Sequence, residues 1–186
     1  GKPGTARDFE TAVRGAAETL GRSGSRNAVF ALTSSGRRAA ETGQQARLVA
    51  QGFSDAQYRF DQMKSHKDKR PATLARLTLA VAKGKQVASA RQGVREGNAI
   101  AAGLKLARDL GNLPGNICTP TYLAQQARKL GRSHALKVSV LNENRMKTLK
   151  MGSLLSVSQG SRQPAKLIVM EYGGAKRGDA PIVLVG

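Results

Sequence analysis

Cys118 and the two histidines carry the most reactive side chains in this 186-residue sequence. Cys118 could act as a nucleophile, but a lone cysteine is more often a buried structural residue, so we predict no catalytic role for it. His66 and His134 lie far apart, with no cysteine or glutamate near them at the spacing of metal ligands. This spacing excludes a zinc finger or a His-Glu-x-x-His site within these residues.

The serines and carboxylates of the last third give no catalytic pattern either. No Gly-x-Ser-x-Gly elbow surrounds a serine, and no glycine-rich phosphate loop follows a predicted strand. Glu171 lies on a predicted strand, where a solvent-facing or ion-paired role is favoured over acid/base catalysis. We therefore predict no catalytic, cofactor-binding or metal-binding residue in this segment. The side chains considered are those of Ser156, Ser158, Ser161, Glu143, Glu171 and Asp179.

The net charge of +19 is the strongest compositional signal, and it points toward polyanions. The excess is concentrated before His134, with Lys64, Lys67, Lys69 and Arg70 close together in the sequence. Aromatic residues make up 4% of the chain, so no platform of stacking rings accompanies the charge. Two interpretations stay open, a solvated basic face and a DNA-contacting surface.

Composition predicts a soluble globular protein. A hydrophobic content of 40% is enough for an ordinary core. No apolar stretch approaches the 18 or so residues of a membrane span, and no leader-like segment opens the chain. The single cysteine cannot form an internal disulfide, which fits a reducing compartment. We expect a cytoplasmic location and no membrane partner.

The first half of the chain alternates predicted helices and strands, which indicates an α/β fold. A helix begins at the N-cap Thr5 and ends near Gly21 to Gly24. Asn27 to Thr33 is predicted as a short buried strand. Arg37 to Lys64 follows as a long helix, and Leu74 to Ala82 as a second strand.

The second half begins with a long helix from Gln86 to Leu110, ended by Gly111. Its length indicates a connector between two domains. A loop from Asn112 to Thr119 follows, and Gly173-Gly174 is predicted as a hairpin turn. The remaining predicted elements are a helix over Pro120 to Gly131, a strand over Leu136 to Leu141, a helix over Glu143 to Lys150 and strands over Leu154 to Val157, Leu167 to Tyr172 and Ile182 to Val185.

Both ends of the sequence read as interior parts of a protein. The apolar run Pro181 to Gly186 is typical of a strand covered on both faces, beyond whose carboxyl end ligands usually bind. Gly1 to Gly4 reads as a turn that follows a strand. We therefore expect an internal segment of a longer protein.

Several segments resemble one enzyme family. Asp109 to Ala124 (Asp-Leu-Gly-Asn-Leu-Pro-Gly-Asn-Ile-Cys-Thr-Pro-Thr-Tyr-Leu-Ala) resembles the signature with which leucyl aminopeptidases of the cytosol aminopeptidase family, bacterial type, enter their catalytic domain. The resemblance covers about Gly97 to Gly186 strongly and the residues before it weakly. Further similar segments are Met151 to Ser161, Leu167 to Tyr172, Pro181 to Gly186, Tyr58 to Asp61 and Gly1 to Gly4.

The resemblance implies a fold and a division of the chain. Residues 1–84 would be part of an amino-terminal α/β, macro-like domain. Residues 85–111 would form a linker helix. Residues 112–186 would supply the first mixed-sheet elements of an α/β metallopeptidase domain, truncated before its metal site.

The resemblance also implies an activity. The intact protein would be a homo-hexameric hydrolase in which two divalent metal ions, Mn²⁺ or Zn²⁺, activate water against the amino-terminal bond of peptide substrates. In the family the metal ligands and catalytic residues follow the strand matching Ile182 to Val185. They would therefore lie beyond Gly186, and this segment alone would be inactive.

Two features depart from the family pattern. Gly115 stands where family members commonly have a second proline, which loosens the loop without removing chemistry. The net charge is also more basic than the family leads us to expect. Some bacterial relatives double as DNA-binding proteins in transcription and recombination, so a basic DNA-binding module is our alternative hypothesis.

Overall fold

The computed structural model describes residues 5–32, 39–66, 74–81, 84–174 and 178–186. The chain divides into two compact units, Gly1–Asn112 and Leu113–Gly186. Within the described residues, each unit holds one two-stranded sheet with helices around it. The predicted α/β class is confirmed.

Helix α1 spans Ala6–Ser23 and begins as its sequence predicts. The Thr5 hydroxyl accepts a hydrogen bond from the Asp8 backbone N–H at 3.2 Å, and the Asp8 carboxylate accepts one from the Thr5 N–H at 2.7 Å. This reciprocal capping box satisfies two amide donors that the first helical turn leaves without partners. Gly24 ends the helix with φ +70°, a left-handed conformation that glycine adopts at little cost.

Strands β1 (Asn27–Ala31) and β2 (Arg76–Ala80) pair in parallel, with Phe30 opposite Leu79. Burial alternates along both strands, so within this chain the sheet is covered on one face. Val29, on the other face, is 71% exposed. The strand predicted over Asn27 to Thr33 is present, but its prediction as buried was wrong for one face, because the described helices pack against one side of it.

Helix α2 spans Ala39–Ala56 and lies between β1 and β2 in the chain, as the connection between two parallel strands. It ends eight residues before the predicted end at Lys64. The Tyr58 N–H bonds the Asp55 carbonyl at 3.1 Å, a tightened last turn. The Gln57 side-chain amide donates to the Phe53 carbonyl at 3.3 Å. One backbone amide and one side-chain amide thus satisfy two of the terminal carbonyls, which the apolar periodicity through Tyr58 and Phe60 did not indicate.

Helix α3 spans Lys85–Asn112 and packs along α2 within the first unit. The two backbones approach so closely that a Cβ atom on Gly93 would lie 2.0 Å from the Gly43 carbonyl oxygen. A Cβ atom on Gly97 would lie 2.6 Å from the Arg47 carbonyl oxygen. Gly111 lies inside the helix, so its prediction as the residue that ends α3 was wrong.

The core of the first unit lies between its helices and the covered face of the sheet. Phe30 of β1 meets Phe53 of α2 edge to face, with ring centroids 5.9 Å apart. Such pairs add about 0.5–1.5 kcal/mol to the free energy gained by burying their area. The buried residues are Val13, Ala17, Leu32, Ala46, Val49, Phe53 and Ala90.

The second unit begins with helix α4, Pro120–His134. The Thr119 hydroxyl caps it by accepting from the Tyr122 N–H at 3.2 Å, and proline occupies the first helical position. Ala124, Ala127 and Met146 are buried. The elements that follow are β3 (Lys137–Leu141), α5 (Glu143–Thr148), α6 (Gly152–Ser158) and β4 (Leu167–Glu171), with β3 and β4 antiparallel.

The predicted strand from Leu154 to Val157 was wrong, because these residues lie in helix α6. The hydroxyls of Ser156 and Ser158 donate to the carbonyls of Ser153 and Leu155, at 2.8 and 2.9 Å, which supports a short helix. A short apolar run does not distinguish a strand from a helical segment by its pattern alone.

The predicted buried strand from Ile182 to Val185 was also wrong. The segment has no strand pairing to any described residue, and its four apolar side chains are between 73% and 93% exposed. A strand needs a hydrogen-bonded neighbour, which the described residues do not supply here. The hairpin turn predicted at Gly173-Gly174 leads into residues 175–177, which lie outside the described residues. No described helix combines the length and apolar character of a membrane span.

Candidate functional site

A polar cluster links the segment after α2 to the last turns of α3. The Tyr58 hydroxyl donates a hydrogen bond to Oδ1 of Asp109 at 3.0 Å. The Asn112 side-chain amide donates to the Tyr58 hydroxyl oxygen, also at 3.0 Å. Lys105 Nζ lies 2.6 Å from the other carboxylate oxygen, Oδ2. We call these four residues the Tyr58 cluster.

The helical repeat positions the α3 members of the Tyr58 cluster. Lys105 and Asp109 are four residues apart, so they lie on the same face of the helix. Arg108 forms an ion pair with Asp55, near the end of α2. Its guanidinium carbon lies 5.2 Å from the centre of the Tyr58 ring, and Lys105 Nζ lies 5.8 Å from it. Two cations near the Tyr58 ring add cation–π attraction to the hydrogen bonds.

The hydrogen bond from Lys105 lowers the pKa of Asp109 below its ordinary value, and the Tyr58 hydrogen bond acts in the same direction. Partial burial opposes this shift, because removal from water disfavours the charged carboxylate. Asp109 is therefore ionised at neutral pH, and both of its oxygens are engaged. A carboxylate held in this way is suited to fixing α3 against the α2 end rather than to accepting a proton from a substrate.

The residues considered for catalysis have structural contacts within the second unit. Cys118 is partly buried, and its backbone N–H bonds the Pro114 carbonyl at 2.9 Å. His134 Nδ1 lies 2.7 Å from the hydroxyl of its neighbour Ser133. Glu171 lies 3.2 Å from Lys137 across the β3–β4 pair, in an exposed ion pair. The structure brings none of the three together with a second candidate group.

The serine and lysine candidates show the same pattern. Ser161 Oγ accepts a hydrogen bond from the Gln163 N–H at 3.1 Å, while Ser156 and Ser158 bond back to their own helix. Lys64 Nζ lies 3.6 Å from Oδ1 of Asp61. The other basic residues predicted to cluster with it, Lys67, Lys69 and Arg70, lie outside the described residues.

Among the described residues, no three His, Cys, Asp or Glu side chains come together as a metal site would require. The Tyr58 cluster itself was not found from the sequence. The spacing of Lys105 and Asp109 was a local signal for one of its contacts. The contact between Tyr58 and Asp109 spans 51 residues, so no periodicity could have indicated it.

Comparison with known proteins gives two family matches in one chain. Residues 1–67 match the N-terminal domain of the cytosol aminopeptidase family. Residues 105–186 match the catalytic domain of the same family. The N-terminal domain match thus precedes the catalytic domain match along the chain.

Individual relatives agree with the family matches. A probable cytosol aminopeptidase of Nitrosococcus oceani is 45% identical over 183 residues, which is 98% of this chain and 36% of that protein. One of Pseudomonas syringae pv. tomato is 46% identical over 88% of this chain and 33% of that protein. The chain thus spans about a third of the length of these curated relatives.

Solved structures show the same fold. A mutant of tomato leucine aminopeptidase superposes with a TM-score of 0.78 at 26% identity, over 90% of this chain and 33% of that one. The bottromycin maturation enzyme BotP, in complex with Mn, superposes with a TM-score of 0.72 at 30% identity. That match also covers 90% of this chain and 33% of the other.

Proposed function

Because this chain belongs to the cytosol aminopeptidase family, we propose that its protein is a leucyl aminopeptidase that removes amino-terminal residues from peptides. One observation carries the proposal, namely that both domains of the family match in order along a single chain. No described side chain argues against it, since the groups considered for other chemistry are held in structural contacts.

We assign the segments of the chain to different tasks. Residues 1–84 belong to an amino-terminal α/β domain, residues 85–111 form a linking helix, and residues 112–186 begin the catalytic domain. The division of the chain into compact units after Asn112 supports a boundary close to this position. The 186 residues alone are predicted to be inactive.

The described residues do not fit the two metal ions that the family resemblance implies. We therefore place the ligands of two divalent ions, Mn²⁺ or Zn²⁺, outside these 186 residues and derive no catalytic step through them. A Mn complex of the similar enzyme BotP favours manganese as the first ion to test. By the same family argument we propose a cytoplasmic homo-hexamer.

Peptide hydrolysis is tested with the protein at its full natural length. We expect release of leucine from leucyl dipeptides in the presence of Mn²⁺ or Zn²⁺, and loss of that activity after dialysis against a chelator. Amino-terminally acetylated peptides serve as the matched control, because they lack the free amine that an aminopeptidase requires. Cleavage of acetylated and free peptides at equal rates would contradict the proposal, as would no cleavage under any metal condition.

DNA binding is a second proposal, supported by the net charge of +19 alone. Binding through phosphates weakens steeply with salt, by roughly 10³-fold between 50 and 200 mM if some six phosphates are contacted. Affinity for duplex DNA should therefore be measured across this salt range. Absence of binding at 50 mM salt, or an affinity indifferent to salt, would leave the charge with a role in solubility.

A further inference from the structure

The Tyr58 cluster joins the two stretches of the chain that match different domains of the family. Tyr58 lies in residues 1–67, which match the N-terminal domain. Asp109 and Asn112 lie in residues 105–186, which match the catalytic domain. The two hydrogen bonds of the Tyr58 hydroxyl to these residues, each 3.0 Å long, therefore connect one domain match to the other.

The first residues of the catalytic match fold with the first unit. That match begins at residue 105, whereas the first unit ends at Asn112. Arg108, between these two positions, forms its ion pair with Asp55 and lies beside the Tyr58 ring. The start of the catalytic match is thus held by side chains that belong to the N-terminal match.

Tyr58 is itself fixed to the core of the first unit. Its N–H bonds the Asp55 carbonyl at 3.1 Å, and the neighbouring Gln57 side chain donates to the Phe53 carbonyl at 3.3 Å. Phe53 is buried and packs against Phe30. Moving this ring would expose its apolar surface to water, so the end of α2 is held in place. The phenol therefore reaches α3 from a position that the core determines.

A short hydrogen-bonded turn leads from the Tyr58 cluster to α4. Asn112 is the last residue of α3, and Thr119, which caps α4, follows seven positions later. Between them the N–H groups of Ile117 and Cys118 both bond the Pro114 carbonyl at 2.9 Å, and the Thr119 N–H bonds the Ile117 carbonyl at 2.8 Å. A short connection with a proline and internal hydrogen bonds has far fewer conformations than a flexible linker.

We propose that the Tyr58 cluster couples the first unit to the start of the catalytic domain, with Tyr58 as a positioning residue for residues 113–119 and for the capped end of α4. Removing the phenolic oxygen releases Asp109 and Asn112 together, so the last turns of α3 open more often and the turn opens with them. A row of contacts becomes a coupling only when a change at one end alters the other. The inference does not rest on peptide hydrolysis, because local opening needs no substrate.

The test is amide hydrogen exchange followed by mass spectrometry, on the protein at its full natural length. In Tyr58→Phe we expect peptides that cover residues 105–119 and the first turn of α4 to exchange about fivefold or more faster than in the wild type, since two hydrogen bonds that oppose opening are removed. Peptides of β3 and β4 should keep the wild-type rate. Asn112 is exposed, so Asn112→Ala removes the link to the turn even if Tyr58→Phe is unstable.

Thr5→Ala is the matched control, because it destabilises the first unit by removing the hydroxyl that caps α1. It should speed exchange in α1 and leave residues 113–119 at the wild-type rate. Adding Asn112→Ala to Tyr58→Phe should produce no further increase at residues 113–119, because the hydroxyl that Asn112 contacts is already gone.

Wild-type exchange of residues 113–119 in both Tyr58→Phe and Asn112→Ala would overturn the inference. An equal increase in Thr5→Ala would also overturn it, because the effect would then follow the stability of the first unit as a whole. If exchange changes as expected but leucyl peptides are not cleaved, the proposed aminopeptidase activity fails alone. If leucyl peptides are cleaved but exchange does not change, this inference fails alone.

Discussion

The hydroxyl of Tyr58 and Oδ1 of Asp109 lie 3.0 Å apart, joining the segment after α2 to the last turns of α3. The same hydroxyl oxygen accepts a hydrogen bond from Asn112. One phenol thus acts as donor and acceptor between residues 51 and 54 positions away. Its position makes it the most informative single group to remove from the first unit.

Tyr58→Phe should lower the free energy of unfolding by about 1–2 kcal/mol, because it leaves the Asp109 oxygen and the Asn112 amide without their shared partner. Urea unfolding followed by circular dichroism measures the change. Tyr172→Phe is the control, since Tyr172 is 77% exposed and makes no described hydrogen bond through its hydroxyl. Equal effects at the two tyrosines would show that the Tyr58 hydrogen bonds add no stability.

Asp109→Asn should reduce the dependence of the first unit's unfolding free energy on pH in the acid range. The folded-state pKa of Asp109 is lowered, chiefly by Lys105. Its contribution is therefore fully present above the unfolded-state pKa of about 4, and it is lost as pH falls through the lower folded-state pKa. The difference in unfolding free energy between wild type and variant should shrink over that acid window. A difference that is constant from neutral pH into the acid range would contradict the assignment.

Gly93→Ala should destabilise the protein by about 1–3 kcal/mol or more, because the new methyl group would lie against the backbone of α2. Gly103→Ala on the same helix is the matched control, since a Cβ atom there meets no atom within 4 Å. That variant should stabilise the helix by roughly 0.5–1 kcal/mol, because alanine is the better helix former. Thermal unfolding of the two variants should therefore shift in opposite directions.

Thr119→Ala should cost about 1 kcal/mol by removing the hydroxyl that caps α4. Thr119→Ser keeps an oxygen able to accept from the Tyr122 N–H, so it should restore most of the lost stability. Chemical unfolding of both variants separates the cap from the rest of the side chain. If serine is as destabilising as alanine, the methyl group of Thr119 matters more than its hydroxyl.

The helices with clear end signals could be predicted well from the sequence. Thr5 and Asp8 marked the start of α1, and Thr119 with Pro120 marked the start of α4. These signals are local, because each cap acts on a backbone group two or three residues away. The end of α2 had no such marker. The chain after α2 is held by the hydrogen bond from Tyr58 to Asp109, a contact that exists only after the chain has folded.

Apolar runs were predicted less well, because their pattern does not record what covers them. Leu154 to Val157 suited a strand and a helix equally, and the serines around them settled the outcome as α6. Ile182 to Val185 carried the composition of a buried strand without a described neighbour to pair with. The close crossing of α2 and α3 was not predicted either, since it depends on Gly43 and Gly93 meeting the opposite helix in the folded chain.

The parallel pairing of β1 with β2 also determines how late during synthesis the sheet can form. Asn27 finds its partner at Arg76, so β1 leaves the ribosome long before the strand it pairs with. Until residue 80 has emerged, α1 and α2 can pack around Phe53, but the edge of β1 that pairs with β2 has no hydrogen-bonding partner. A pause in translation before that point would prolong the exposure of this edge, which is the kind of surface on which nascent chains aggregate.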